Sequence, residues 1–251
     1  MIDLTGRRVV VTGGGRGIGA ASAILFARAG AEVVIGYRTK RAEAESVALE
    51  CLSYGVRATA IPSDLSQRGG ADALCIAATA SLGAIDIAVL NAGFWPTAPE
   101  PIATMTDARW HDTAAQNYEA MFQSARAAAR SVTDGGCIVF VSSTAGQRGE
   151  AYHADYASAK GAMISLTKSM AIELATRQVT VNAVAPGWVD TDAIAPVVHG
   201  DEKARIAANI PLGRIASPSD IAGPILFLAS PLARHITGEI LNVNGGSVLC
   251  G

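Results

Sequence analysis

Charged residues, aromatic residues and long apolar runs are all scarce in this chain. Charged side chains make up 17% of its 251 residues, below the usual quarter, and 20 basic against 22 acidic groups leave a net charge of −2. That balance offers no basic face to nucleic acid and no attraction to an anionic membrane, so neither partner is expected. No apolar run approaches the ~18–20 residues of a membrane span, and the opening Met1-Ile2-Asp3-Leu4-Thr5-Gly6-Arg7-Arg8 has no apolar signal core. Cysteines at 51, 75, 137 and 250 form no Cys-x-x-Cys pair, and the histidines at 111, 153, 199 and 235 lack metal-ligand spacing. Reduced thiols, no metal and a cytoplasmic location are the expectation. With aromatics at 5%, small aliphatic side chains must fill the core.

Half of the sequence is hydrophobic, with 26 glycines and alanine the commonest residue. There is no linker, repeat or low-complexity tract, so residues 1–251 read as one domain. β-Branched runs alternate with helical patterns. Residues 7–12 read as a strand and 17–29 as a helix, with Ile18, Ala21, Leu25 and Ala29 on one face and Gly30 as its stop. Further strands fall at 33–36, 56–61, 85–90, 137–142, 179–184 and 239–243. Helices fall at about 41–53, 67–82, within 107–132, 155–176 and 219–229. The strands are near-continuously apolar and not alternating, as in a parallel sheet covered on both faces. The fold class is therefore α/β, a doubly wound parallel sheet of about seven strands, whose ligands sit beyond the carboxyl ends of the strands.

The first strand ends in Thr12-Gly13-Gly14-Gly15-Arg16-Gly17-Ile18-Gly19. Glycines between a strand and a helix N-terminus allow close backbone approach, and the free N–H groups beyond them suit a pyrophosphate. The position, more than the G-x-x-x-G-x-G spacing, makes this a dinucleotide loop; no Gly-Lys-Ser/Thr follows, which excludes a P-loop. The second strand ends in Tyr37-Arg38-Thr39-Lys40, without the carboxylate that grips an adenosine ribose diol. Arg16, Arg38 and Lys40, with the Thr39 hydroxyl, form a basic cluster suited to a 2′-phosphate. NADP(H) is the expected cofactor, with NAD(H) the alternative.

Tyr156 and Lys160 lie four apart at the start of a helix and share its face. A lysine charge beside the phenol is expected to lower its pKa and make it a usable general acid/base. Tyr152 has no lysine at that spacing. Thirteen residues before Tyr156, Ser142-Ser143 close the fifth strand, where a hydroxyl can donate to a carbonyl oxygen.

With these pieces in register, the chain resembles the short-chain dehydrogenase/reductase family over essentially its whole length, and within it most the 3-oxoacyl-acyl-carrier-protein reductases. The matching residues are the 12–19 loop, Asp64, Asn91-Ala92-Gly93, Asn117, Ser143, Tyr156, Lys160, Pro186-Gly187 and Thr191. The resemblance implies a Rossmann-type domain and an NADPH-dependent reduction of a ketone to a secondary alcohol. It implies Tyr156 as proton donor, Ser143 as substrate-orienting group, Lys160 on the nicotinamide ribose and Asn117 holding a relay water. Asp64 and Leu65 would border the adenine, Asn91 to Gly93 would line the cofactor, and Val189 and Thr191 would meet the carboxamide. Three departures stand out. Leu90 replaces the first Asn of Asn-Asn-Ala-Gly and is expected to loosen a bond there. Asn117 lies 39 residues before Tyr156, about two fewer than usual, which is assigned to a shortened turn at Asp134-Gly135-Gly136. Asn244 replaces the Asp of Asp-Gly-Gly.

The pocket is expected from Phe94 and Trp95, the stretch from Gln147 to His153 and that from Trp188 to Ala208, with Trp95, Ser143, Gln147, His153 and Trp188 lining the substrate and residues 188–216 as substrate loop and lid. The tryptophans fit an apolar or ring-bearing substrate or simple packing under a loop. An acyl thioester is the first substrate class; sugars, cyclic alcohols and xenobiotic carbonyls are the alternative. Arg130 and Arg177 would have to supply any docking charge for an acyl carrier. A nucleotide-sensing binding protein is the non-enzyme alternative. Alanines at 114, 115, 120, 125 and 127–129, and at 157, 159, 162 and 171, let partner helices approach closely, and the family pairs these helices into homotetramers.

Overall fold

The computed structural model of the chain describes residues 2–249. In chain order its elements are β1 (Arg8–Val11), α1 (Gly17–Arg28), β2 (Glu32–Tyr37), α2 (Arg41–Leu52), β3 (Ala58–Pro62), α3 (Gly70–Leu82) and β4 (Ile85–Leu90). Then come α4 (Asp107–Ala114), a π-helical turn (Ala115–Glu119), α5 (Ala120–Ser131), β5 (Val132–Val141), α6 (Thr144–Arg148) and α7 (Ala154–Glu173). β6 (Thr180–Pro186), α8 (Gly200–Ala208), α9 (Pro218–Leu228) and β7 (Ile240–Val243) follow. All seven strands pair in parallel, in the order β3-β2-β1-β4-β5-β6-β7. The chain starts in the middle, winds out to β3, then restarts at β4 and winds out to β7. The loops leaving β1 and β4 diverge, which opens a crevice at their carboxyl ends.

Successive strand residues point to opposite faces, and both faces are dry. Val9, Val11, Val33, Ile35 and Val89 pack against Phe26 of α1 and Ile221 and Ile225 of α9. Val10, Val34, Ala88, Leu90, Ile138 and Phe140 pack against Leu74 of α3, Ala128 of α5 and Met163 of α7. Phe26 and Phe140 are fully enclosed, and truncating either to alanine costs about 3–5 kcal/mol.

Three expectations need correction. α1 buries Ser22, Ala23, Phe26 and Ala27, while Ile18, Ala21, Leu25 and Ala29 are only half-buried. The helix packs on β1 and β2 and is flanked by α9 and α2, so its covered arc is broader than one stripe, and Ser22 fits there by donating to Ile18 O at 2.8 Å. The helix read within 107–132 is broken by the π turn, and Val132 already belongs to β5. The stretch at Asp134-Gly135-Gly136 is no shortened turn but a bulge inside β5, opposite a register shift between Ile85 and Ile87 of β4. Residues 188–216 contain α8 and a small apolar core of their own, Ile194, Val198, Ile206 and Ile210, on which Trp95 and Trp188 lean.

Candidate active site

A cleft of ≈ 390 Å³ runs across the carboxyl ends of the strands. Its floor is the turn between β1 and α1. Gly13 and Gly17 adopt φ of 61° and 54°, and at Gly19 a Cβ would sit 2.3 Å from the Gly13 carbonyl oxygen. Only glycine closes this turn. No side chain caps α1 and no acid occupies its first turn, so the positive end of the helix is left to the cleft. The turn is tied to β4: Thr12 Oγ1 accepts from the N–H groups of Asn91 (2.9 Å) and Ala92 (3.0 Å), and Asn91 Nδ2 donates to Thr12 O and Gly13 O. Leu90 therefore loosens nothing; it is buried among the residues under the sheet, and Asn91 keeps the loops joined. Asn244 likewise performs the turn expected of an aspartate, accepting from Gly246 N–H at 3.0 Å.

Gly13, Gly15, Arg16, Gly17, Ile18, Tyr37, Arg38, Thr39, Asp64, Leu65, Asn91, Ala92, Gly93, Pro186, Gly187, Val189 and Thr191 all line the cleft. Gly19 does not; it lies beneath, where it permits the packing just described. Ser66 N–H and Oγ donate to Asp64 Oδ1 (3.1 and 2.6 Å), and these bonds hold its carboxyl below the usual range. Of the basic cluster, Lys40 pairs with Glu43 at 3.5 Å. Among the described residues Arg16 has no ion-pair partner, and Arg38 donates only to Gln116, at 3.1 Å.

At the other end stand Ser143, Tyr156 and Lys160. Ser143 caps α6, accepting from Ala145 N–H at 3.1 Å, and its hydroxyl is close enough to Tyr156 to favour the phenolate. Ser142 is spent on α7, donating to Lys160 O at 3.0 Å, which separates the two serines. Lys160 Nζ donates to Val141 O (2.7 Å) and lies 5.7 Å from the Tyr156 ring centre. Burial pulls the Lys160 ammonium down to about 8. The expected lowering of the Tyr156 pKa by that lysine is not what the geometry gives: burial drives the phenol up, the Ser143 hydroxyl opposes this, and the Glu150 charge adds to it. Asp155, next to Tyr156, is buried and receives Arg109 Nε (3.0 Å), Thr113 Oγ1 (2.8 Å) and Tyr156 N–H (2.9 Å), which pins α7 to α4.

Three expected residues lie off the cleft wall. Asn117, on the π turn, donates to Phe94 O and Thr113 O and accepts from Phe94 N–H, so its side chain fastens the loop after β4 from behind. Gln147 turns to β7 and donates to Asn242 Oδ1 at 2.6 Å. His153 is buried behind Trp95, stacked at 5.0 Å and 18°. Trp95 and Trp188 do line the cleft, meeting edge to face at 5.7 Å. Glu150 and Arg148 line it as well, inside the expected stretch from Gln147 to His153 although its two ends turn away. Arg177, a candidate for carrier docking, is bound to Asp134, Ala129 O and Val132 O.

A family model described as enoyl-(acyl carrier protein) reductase matches residues 13–247. A 3-oxoacyl-[acyl-carrier-protein] reductase from Vibrio harveyi is 38% identical over 247 residues, covering 98% of each chain. An L-rhamnose 1-dehydrogenase (NAD(P)(+)) from Azotobacter vinelandii is also 38% identical, over 98% of this chain and 97% of that one. The crystal structure of a short chain dehydrogenase from Burkholderia cenocepacia in complex with NADP superposes with a TM-score of 0.91 at 33% identity, covering 97% of this chain and 98% of that one. A nucleotide loop at one end of the cleft, a Ser-Tyr-Lys group at the other and full-length similarity to such proteins lead to one assignment: the chain belongs to the short-chain dehydrogenase/reductase family of oxidoreductases.

Proposed function

We propose that the chain reduces a ketone to a secondary alcohol, with NADPH preferred over NADH. The observation that carries this reading is the meeting of Ser143, Tyr156 and Lys160 in one cleft with the glycine turn and with Arg16 and Arg38, neither of which makes an ion pair among the described residues. The glycine turn and the α1 N-terminus would hold the pyrophosphate, and Arg16 and Arg38 the 2′-phosphate. NADPH, when bound, supplies the hydride to the carbonyl carbon. Tyr156 gives its proton to the carbonyl oxygen, so a neutral alcohol leaves and a phenolate remains. Ser143 donates to the same oxygen. The Lys160 ammonium steadies the phenolate until it is reprotonated, and Asn117 keeps the loop after β4 in register with α7.

The similarity to 3-oxoacyl-acyl-carrier-protein reductases supports a 3-oxoacyl thioester as substrate. The Trp95–Trp188 corner favours a second reading, a compact or ring-bearing carbonyl. Following NADPH oxidation with acetoacetyl thioesters, ketosugars, diketones and cyclic ketones tests both. Turnover on any of them excludes a purely nucleotide-sensing protein, and no turnover on any sinks the reductase reading. We also propose a homotetramer. Of the alanine set, Ala120, Ala125, Ala127, Ala128, Ala157, Ala159 and Ala171 are buried in their own chain, so Ala114, Ala115, Ala129 and Ala162 are left to a contact face whose larger part lies elsewhere. That part is the aromatic strip Trp110, Tyr118 and Phe122 on α4, the π turn and α5, left 40%, 49% and 43% exposed.

A further inference from the structure

Glu150 is the acidic side chain whose charge reaches Tyr156. It sits in the turn between α6 and α7, after Gly149 (φ 77°) and before Tyr152 (φ 66°). The turn is held by backbone bonds: His153 N–H donates to Glu150 O at 3.2 Å, and Glu100 N–H to Tyr152 O at 2.9 Å. The carboxylate is thereby fixed at the cleft wall with its side chain 21% exposed. The imidazole of His153 stays 3.8 Å away, beyond a hydrogen bond, and among the described residues Arg148 makes no ion pair with it. A carboxylate accepts about four hydrogen bonds. The Trp95 indole N–H already approaches it, and the rest of that capacity is open to the cleft that Tyr156, Trp95 and Trp188 also line.

An alkyl chain in that space would strip water from Glu150 and return nothing. A donor there would satisfy it. Resting on the reading of this cleft as a carbonyl-reducing site, we propose that Glu150 is a specificity-determining residue. It accepts a hydrogen bond from a hydroxyl or ammonium group carried next to the substrate carbonyl, and so selects polar carbonyl compounds such as α-hydroxy ketones over alkyl ketones. Burial, which pushes the Glu150 carboxyl up, makes the donor worth more, because it holds the group ionised where solvent does not.

Three near-isosteric ketones test this: hydroxyacetone, aminoacetone and butan-2-one, assayed by kcat/KM with NADPH. The ratio between ketones within one enzyme cancels any effect of a substitution on cofactor binding or on the Tyr156 proton. The wild type should favour a donor-bearing ketone over butan-2-one by about ten- to a hundredfold, the range of one charge-assisted hydrogen bond. Glu150→Met should bring that ratio to about one, and Glu150→Gln, a neutral acceptor of the same length, should leave it in between. If Glu150→Met does not fold, as judged by its melting curve, Glu150→Gln carries the comparison. Preference for hydroxyacetone identifies a hydroxyl as the donor and preference for aminoacetone an ammonium; either supports the proposal. Equal ratios in wild type and variants, with all three ketones reduced, overturn it and leave the reductase reading standing. Reduction of none, and of nothing in the wider panel, overturns the reductase reading and this proposal with it.

Discussion

The two ends of the cleft are made of different material. At the cofactor end the walls are mostly backbone: the Gly13–Gly19 turn, the N-terminus of α1, and the Thr12–Asn91 bonds that join the loops after β1 and β4. At the substrate end the walls are side chains from three separate loops, with Trp95 after β4, Glu150 after α6 and Trp188 after β6. A backbone site tolerates few sequences, because a Cβ at Gly19 meets a carbonyl oxygen. A side-chain site can be rewritten one residue at a time while the sheet stays as it is. The first end makes the chain a member of its family; on the function proposed above, the second decides which substrate it takes.

Tyr156 lies where the two ends meet, and it gives the largest expected effect. Tyr156→Phe keeps the ring and removes the transferable proton, so kcat should fall about 10²–10⁴-fold. NADPH affinity, read by fluorescence titration, should hold. A loss of cofactor binding of similar size would mean that the ring belongs to the cofactor end alone.

Next in size is the pH dependence of Lys160. Burial lowers its pKa from 10.5 to about 8. Between these values the unfolded chain holds a proton that the folded chain has released, so stability rises with pH through that window. The burial cost is present in full below pH 8. Buried Cys51 and Cys137, with raised pKa values, work in the opposite sense. The difference between wild type and Lys160→Met, from denaturation at pH 7.5 and 10.5, isolates the lysine at on the order of 3 kcal/mol. A flat difference would show that Lys160 keeps its ordinary pKa.

Arg38→Ala tests the cofactor end where side chains do contribute. NADPH should bind about ten- to a hundredfold more weakly and NADH about as before. A wild type that prefers NADH would overturn the 2′-phosphate reading. Smaller still is the effect of assembly: Phe122→Arg should lower the mass seen by light scattering from four chains, with a several-fold loss of activity. An unchanged mass would remove the aromatic strip as an interface.

These contrasts also explain what the sequence made legible. The strand at 85–90 was read to the residue because a short run apolar but for Asp86, whose charge Arg8 takes up, fits a parallel sheet covered on both faces. The cofactor residues were legible because glycine and missing carboxylates leave a mark in the chain itself. The π turn was not, since Ala115–Glu119 has the same periodicity as the helices around it, and only tertiary packing widens it. Gln147 and His153 sit at plausible distances from Tyr156 but turn to Asn242 and Trp95, a choice made by partners far away in sequence. Within the expected stretch from Gln147 to His153 it is Arg148 and Glu150 that line the cleft, a choice the sequence does not make for the same reason.

Tyr152 gives the smallest effect and the cleanest control on Tyr156. It is 58% exposed, and its backbone carbonyl, not its hydroxyl, is what the structure uses, accepting from Glu100 N–H. Its φ of 66° places it in the left-handed region, where a non-glycine residue costs about 1 kcal/mol or more. The turn tolerates that cost because the two backbone bonds on either side of Tyr152 carry Glu150 to the cleft wall. Tyr152→Phe leaves backbone and bonds alone, so kcat and KM should stay within about twofold of wild type. Tyr152→Gly relieves the strain but loosens the turn, and its effect should fall on the hydroxyacetone to butan-2-one ratio and not on NADPH affinity. If Tyr152→Phe instead lost activity as Tyr156→Phe does, both phenols would serve the proton transfer. The substrate end would then reach farther out of the cleft than Trp95 and Glu150 define.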